Sequence, residues 1–237
     1  MHDMTDHITD YGKLLDQQYP REGRISLPST ASGPAPKTMI IACCDSHIDP
    51  ARILRVKPGQ LFVVRNVANL VPPYEPTSRY RSTNAMLEYA VEILQVEAIV
   101  VMGHSGCDGI RAFLTRMLGP ETTCENSAEK CVHDGFIAKW TGLLRPAWGA
   151  VLRARASETE HGLEARLGKR SISYSIENLN TFPFIKHRIE AGLLNIYGVY
   201  FDSSVGALSI LNAEMRSFEK FSGAMALHRE HRTTGVH

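Results

Sequence analysis

Residues 98–109 read A-I-V-V-M-G-H-S-G-C-D-G. A run of apolar, mostly β-branched residues ends in a glycine, and His104 and Cys107 follow with two small residues between them. An apolar run bounded by glycine is the pattern of a strand buried in a parallel sheet, although periodicity alone does not separate it from a buried helix. Two soft ligands three residues apart just past the end of such a strand can converge on one point. Zinc takes imidazole nitrogen and thiolate sulfur, usually with four ligands in a tetrahedron. The remaining ligands must come from elsewhere in the chain.

A second apolar run, Met39–Cys43, leads into C-C-D-S-H at 43–47. Alternation along a strand puts Cys43 and Asp45 on one face and Cys44 on the other, so Cys44 is expected to be a buried structural thiol. Cys43, His104 and Cys107 then offer two thiolates and one imidazole. The fourth position goes either to water, leaving an open catalytic site, or to Asp45, closing it. Two other readings of the same residues fail on order. G-H-S-G-C has cysteine where the nucleophile elbow G-x-S-x-G needs its second glycine. Gly103, Gly106 and Gly109 do not follow the dinucleotide order G-x-G-x-x-G.

The rest of the chain is consistent with an α/β fold. Strands are expected at Met39–Cys43, Leu61–Val64 and Ile99–Met102, with helices between them: a short one opened by Asp49-Pro50, one from Ser82 through Leu94, and one over Ile110–Leu118. Further helices are expected over 136–156 and 163–194, broken near Pro183. Asn195–Phe201 and Ala207–Leu211 alternate like a terminal hairpin or edge strands. The expected architecture is a central parallel sheet with an antiparallel edge strand, helices on its faces and an N-terminal helical arm. In such sheets ligands gather at the carboxyl ends of the strands, where the strand order reverses.

With 237 residues the chain fits one α/β domain, 1–237, in which 1–36 form the arm and its connection and 222–237 a flexible tail. A formal charge of +1 gives no reason to expect a nucleic-acid partner, and no run is long and apolar enough to suggest a membrane one. The five cysteines (43, 44, 107, 124 and 131) are odd in number and follow no signal-peptide pattern, which points to reduced thiols and a cytoplasmic location.

C-x-D-S at 43–46 followed by H-x-x-C at 104–107 resembles the β-class carbonic anhydrases. P-G-Q-L-F-V-V-R-N-V-A-N-L-V-P-P-Y at 58–74, L-E-Y-A-V at 87–91, T-F-P-F-I at 181–185 and G-V-Y-F-D at 198–202 extend the resemblance to the plant-type branch. The resemblance implies a zinc lyase that interconverts carbon dioxide and bicarbonate through a zinc-bound hydroxide. It also implies a homodimer or larger homo-oligomer whose N-terminal helix crosses onto the partner. By the same resemblance Asp45 orients the hydroxide, and Phe62, Val67, Tyr89 and Gly106 belong to the substrate pocket.

Two positions depart from the family pattern. His47 stands where the family has an arginine that forks onto the aspartate and holds it off the metal, and imidazole is neither fork-shaped nor permanently charged. Pro34 stands where the plant-type branch has a glutamine donor. Asp108 replaces the usual glycine after Cys107, a lesser change. Weak or absent hydration is therefore expected. The alternatives are a zinc-stabilised member with a binding or regulatory role, a hydrolase of a CO2-like substrate such as carbonyl sulfide or carbon disulfide, and a thiol redox sensor using Cys43-Cys44 or Cys124/Cys131.

Overall fold

The computed structural model describes residues 35–77, 82–118, 135–153, 160–212 and 214–221. The expected N-terminal arm, Pro34, Cys124, Cys131 and the tail lie outside the described residues.

Six strands form one sheet: β1 (Thr38–Cys43), β2 (Leu61–Asn66), β3 (Ala98–His104), β4 (Asn195–Asp202), β5 (Ala207–Asn212) and β6 (Ser217–Lys220). Their spatial order is β2-β1-β3-β4-β5-β6. The first three pairings are parallel and the last two antiparallel. The chain steps from β1 out to β2, then returns to the far side of β1 for β3. The strand order thus reverses between β1 and β3, the place where open α/β sheets leave a crevice at the strand ends.

The helices are α1 (Pro50–Ile53), α2 (Ser82–Glu88, continued by a π turn at Tyr89–Ile93), α3 (Asp108–Leu118), α4 (Phe136–Thr141), α5 (Arg145–Arg153), α6 (Glu160–Leu179) and α7 (Pro183–Glu190). Asp49 caps α1, its carboxylate accepting the amides of Ala51 and Arg52, with Pro50 in the first turn. Met39 and Ile41 of β1 pack with Leu87, Val91, Ile172 and Ile185 on one face of the sheet. Ile40 and Ala42 pack with Met102 and Val199 on the other. Burial on both faces explains the unbroken apolar runs. Cys43 leaves the first group for a third cluster, in which Cys107, Ile110, Phe113, Leu144 and Trp148 wrap the strand ends.

The expected terminal hairpin is present: β4 and β5 pair antiparallel, and β4 also pairs in parallel with β3, which places it inside the sheet. One expectation is corrected. Cys44 is exposed, not a buried thiol. β1 ends at Cys43, so strand alternation no longer governs residue 44. Its amide donates to Asn66 O at 2.9 Å as the chain turns away.

Candidate metal centre

Cys43 is the last residue of β1 and His104 the last of β3. A two-residue turn then delivers Cys107 to the start of α3. Gly106 takes φ +68 in that turn, a left-handed backbone that glycine adopts without steric cost. Cys43, His104 and Cys107 are buried, at 3%, 3% and 1% exposure. Their ligating atoms lie within 4.8 Å of one another.

The Sγ atoms of Cys43 and Cys107 are 3.7 Å apart. That is far too long for a disulfide. It is close to the edge of a tetrahedron, since two sulfurs each about 2.3 Å from a tetrahedral zinc sit roughly 3.8 Å apart. His104 Nδ1 lies 2.9 Å from the carbonyl of Ser105, which can only accept, so Nδ1 carries the hydrogen and Nε2 carries the lone pair. Nε2 is buried and has no hydrogen-bond partner among the described residues. A buried acceptor without a donor is costly unless something fills its place. Two sulfurs and this nitrogen fit a divalent ion of zinc's preference.

The sulfurs share one proton. The contact with Cys107 is the main cause lowering the Cys43 thiol to about 4, helped by the backbone amides of Asp45 and Ala68. The same contact, with burial, pushes Cys107 well above the ordinary thiol range, although it sits at the amino end of α3 with the amides of Gly109 and Ile110 against it. Burial pushes His104 down, but the Cys43 thiolate outweighs it and the net shift is upward.

Three supports not singled out in the sequence fix this arrangement. Arg65, next to the end of β2, donates through Nε to Cys43 O at 3.0 Å and through Nη2 to Asp45 O and Ile48 O, clamping the 43–48 loop by its backbone. The turn at Val67–Asn69 holds Ala68 and Asn69 at φ +63 and +48. Left-handed backbone at two successive non-glycine residues costs on the order of 1 kcal/mol or more each. It is braced by Asn66, whose side-chain amide bonds both backbone groups of Leu70, and by Trp140 Nε1 donating to Val67 O at 2.8 Å. Ser105, whose carbonyl orients His104, is tied to the end of β4: its Oγ accepts the Ser203 amide at 2.9 Å and reaches Asp202 at 3.4 Å. Arg65 stands inside the quoted R-N-V-A-N stretch, but only the β1–β2 register, with Ala42 opposite Arg65, reveals its reach.

Asp45 and His47 meet at one atom. Asp45 Oδ1 accepts the backbone N–H of His47 at 2.9 Å and lies 3.1 Å from its ring Nδ1. The backbone bond is the chief cause holding the Asp45 carboxyl below its usual range. Asp45 is not among the three clustered ligands. It lines, with Cys43, Val67, Ala112 and Ile137, a cavity of about 270 Å3 at the strand ends. Asp108 pairs with Arg111 on the surface of α3. Phe62 and Tyr89 contact each other, ring centroids 5.8 Å apart, but elsewhere on the chain. Phe62 is in register with Met39, four residues before Cys43. At about 3.3 Å per residue that is roughly 13 Å along the sheet.

With this geometry stand the comparisons with known proteins. The family described as carbonic anhydrase matches residues 38–208. The chain belongs to the carbonic anhydrase family, and its relatives are of the β class. It is 30% identical over 194 residues to beta carbonic anhydrase 3 of Arabidopsis thaliana, covering 82% of this chain and 71% of that protein. It is 35% identical over 175 residues to beta carbonic anhydrase 6, mitochondrial, of the same organism, covering 72% of this chain and only 54% of that protein. One of two tetrameric β-carbonic anhydrases of Sordaria macrospora superposes with TM-score 0.64 at 28% identity, over 88% of this chain and 94% of that one. The β-carbonic anhydrase CcaA superposes with TM-score 0.76 over 92% of both chains; at 22% identity this likeness speaks for the fold. Among the described residues, no helix is long and apolar enough to cross a membrane.

Proposed function

We propose that Cys43, His104 and Cys107 hold zinc and that the chain hydrates carbon dioxide reversibly to bicarbonate, slowly because of His47 and Pro34. The observation that supports this most is the buried, unpartnered Nε2 of His104 beside two sulfurs 3.7 Å apart. Bound there, zinc supplies Lewis acidity and brings the pKa of a bound water down to about 7. Asp45 orients the reacting oxygen, accepting its proton in a hydrogen bond, while His47 holds the carboxylate in place. The ring of His47 reaches only Oδ1, so Asp45 is less firmly tethered than by a guanidinium fork and also turns onto the metal as a fourth ligand in a closed state. Val67 and the apolar wall of Ala112 and Ile137 receive the uncharged substrate beside Gly106. Phe62 and Tyr89 reach such a pocket from a second copy, which makes the active form a homodimer or larger homo-oligomer. The chain is a single domain over 1–237 that works in the cytoplasm.

Stopped-flow hydration of CO2 by zinc-loaded and chelator-stripped protein tests this reading. Slow hydration that disappears with the metal and returns with zinc is expected. Zinc-loaded protein no faster than buffer would overturn the enzymatic reading in favour of a zinc-stabilised binding protein, the role that the loosely held Asp45 also suits.

A further inference from the structure

The two sulfurs of the metal centre are placed for a reaction with each other. Cys43 and Cys107 lie 64 residues apart in sequence, yet their Sγ atoms are 3.7 Å apart and both residues are buried. A disulfide bond is about 2 Å long, so the sulfurs need to approach by roughly 1.7 Å more. Both ends have room to give. The β1–β3 ladder ends at Ala42 and Met102, one residue before Cys43. Cys107 follows the turn at Gly106 and precedes α3, so no strand pairing fixes it.

Cys43 also lines the cavity of about 270 Å3 at the strand ends, so a small oxidant reaches its sulfur without crossing the core. Cys44 lies against Cys43 as well. Adjacent cysteines, however, close a ring only by distorting the planar peptide between them, and the Cys44 amide is held by Asn66 O at 2.9 Å.

We propose that Cys43 and Cys107 form a peroxide-sensitive pair, joined by oxidation into a disulfide that releases the ion they hold. The inference rests on the metal reading above. Both sulfurs are thiolates when they ligate. The Cys43 sulfur attacks one oxygen of hydrogen peroxide, the O–O bond breaks and hydroxide leaves, giving a sulfenic acid. The Cys107 thiolate then attacks the Cys43 sulfur, the S–S bond forms, the S–O bond breaks and a second hydroxide leaves. Each sulfur has given up one electron, and the peroxide ends as two hydroxides that take up protons to become water. Of the three ligands only His104 remains, too few to retain the ion. The disulfide closes a loop across 64 residues and ties β1 to the turn before α3 in the metal's place.

Hydrogen peroxide added to zinc-loaded full-length protein tests this, with a chromophoric chelator counting released zinc and peptide mass mapping locating the cross-link. About one zinc per Cys43–Cys107 disulfide is expected, reversed by dithiothreitol and added zinc. Release should be unchanged in Cys44→Ser and in the double variant Cys124→Ser, Cys131→Ser. Oxidised metal-free protein should melt at a higher temperature than reduced metal-free protein. A Cys43–Cys44 cross-link, sulfinic acid without a disulfide, or zinc retained in full under excess peroxide would overturn the assignment. Protein that takes up no zinc contradicts the function proposed above, and the pair is then judged by the mapped disulfide alone.

Discussion

A single oxygen of Asp45 takes both contacts from His47: the backbone N–H at 2.9 Å and ring Nδ1 at 3.1 Å. Only the second depends on the side chain at 47, and that side chain is 90% exposed. Solvent screens such a contact, and an imidazole leaves the other carboxylate oxygen to other partners. His47→Arg supplies a permanent fork. A charge-assisted pair exceeds a neutral contact by roughly 1–2 kcal/mol, so hydration measured by stopped flow should rise about tenfold, and further with Pro34→Gln. Native turnover equal to that of His47→Arg would show that the histidine does not limit the enzyme.

Arg65 acts through the backbone. Its guanidinium bonds the carbonyls of Cys43, Asp45 and Ile48, and truncation releases the loop that carries Cys43 and Asp45. Because Arg65 is solvent-exposed, the expected cost of Arg65→Gln is about 1–2 kcal/mol, a melting shift of roughly 2–8 °C for a chain of this size. Zinc affinity, followed by competition with a chromophoric chelator, should fall with it. Unchanged affinity and melting would mean that the loop holds its shape without the clamp.

Two glycines near the centre should respond differently to alanine. A Cβ at Gly109 would lie 2.7 Å from Val67 Cγ1 and 3.0 Å from Ala68 Cβ, against the strained turn whose amide faces the Cys43 sulfur. A Cβ at Gly103 would meet mainly the tip of the Ile172 side chain, 2.9 Å away. Gly109→Ala should cost about 1–3 kcal/mol and weaken metal binding, while Gly103→Ala costs less and leaves binding intact. Equal effects in denaturant unfolding and metal titration would contradict this.

Metal uptake should release protons. Near neutral pH Cys43, lowered to about 4, carries none, whereas Cys107 is pushed up by the Cys43 thiolate and retains its own. His104 is also raised by the Cys43 thiolate, so it takes up a second proton at a higher pH than a free imidazole does. Zinc ligation expels what Cys107 and His104 hold, so about one to two protons should appear per ion, and affinity should fall roughly tenfold or more for each unit of pH below 7. Calorimetry in buffers of different ionisation enthalpy measures the number. No net release would mean that the thiols are not ligands.

The alternation of strand and helix, the crevice at the reversal of strand order and the three clustering ligands were legible in the residues, because buried parallel strands and soft-ligand spacing leave strong local signals. Cys44 was misplaced because its burial was inferred from strand alternation one residue past the end of β1. The hairpin of β4 and β5 was legible from its alternation, whereas the pairing of β4 with β3, distant in sequence, was not. Arg65 and the Ser105–Asp202 tie escaped notice because each depends on the pairing of strands distant in sequence. The distance between Phe62 and the sulfur pair is likewise a matter of register, invisible without the β1–β2 alignment.

X-ray absorption at the zinc edge on purified protein tests the metal centre most directly. One zinc per chain is predicted, with two sulfurs near 2.3 Å, one nitrogen, and one further oxygen from water or Asp45. Protein that retains no stoichiometric metal, or a metal with a sulfur count other than two, would contradict the account.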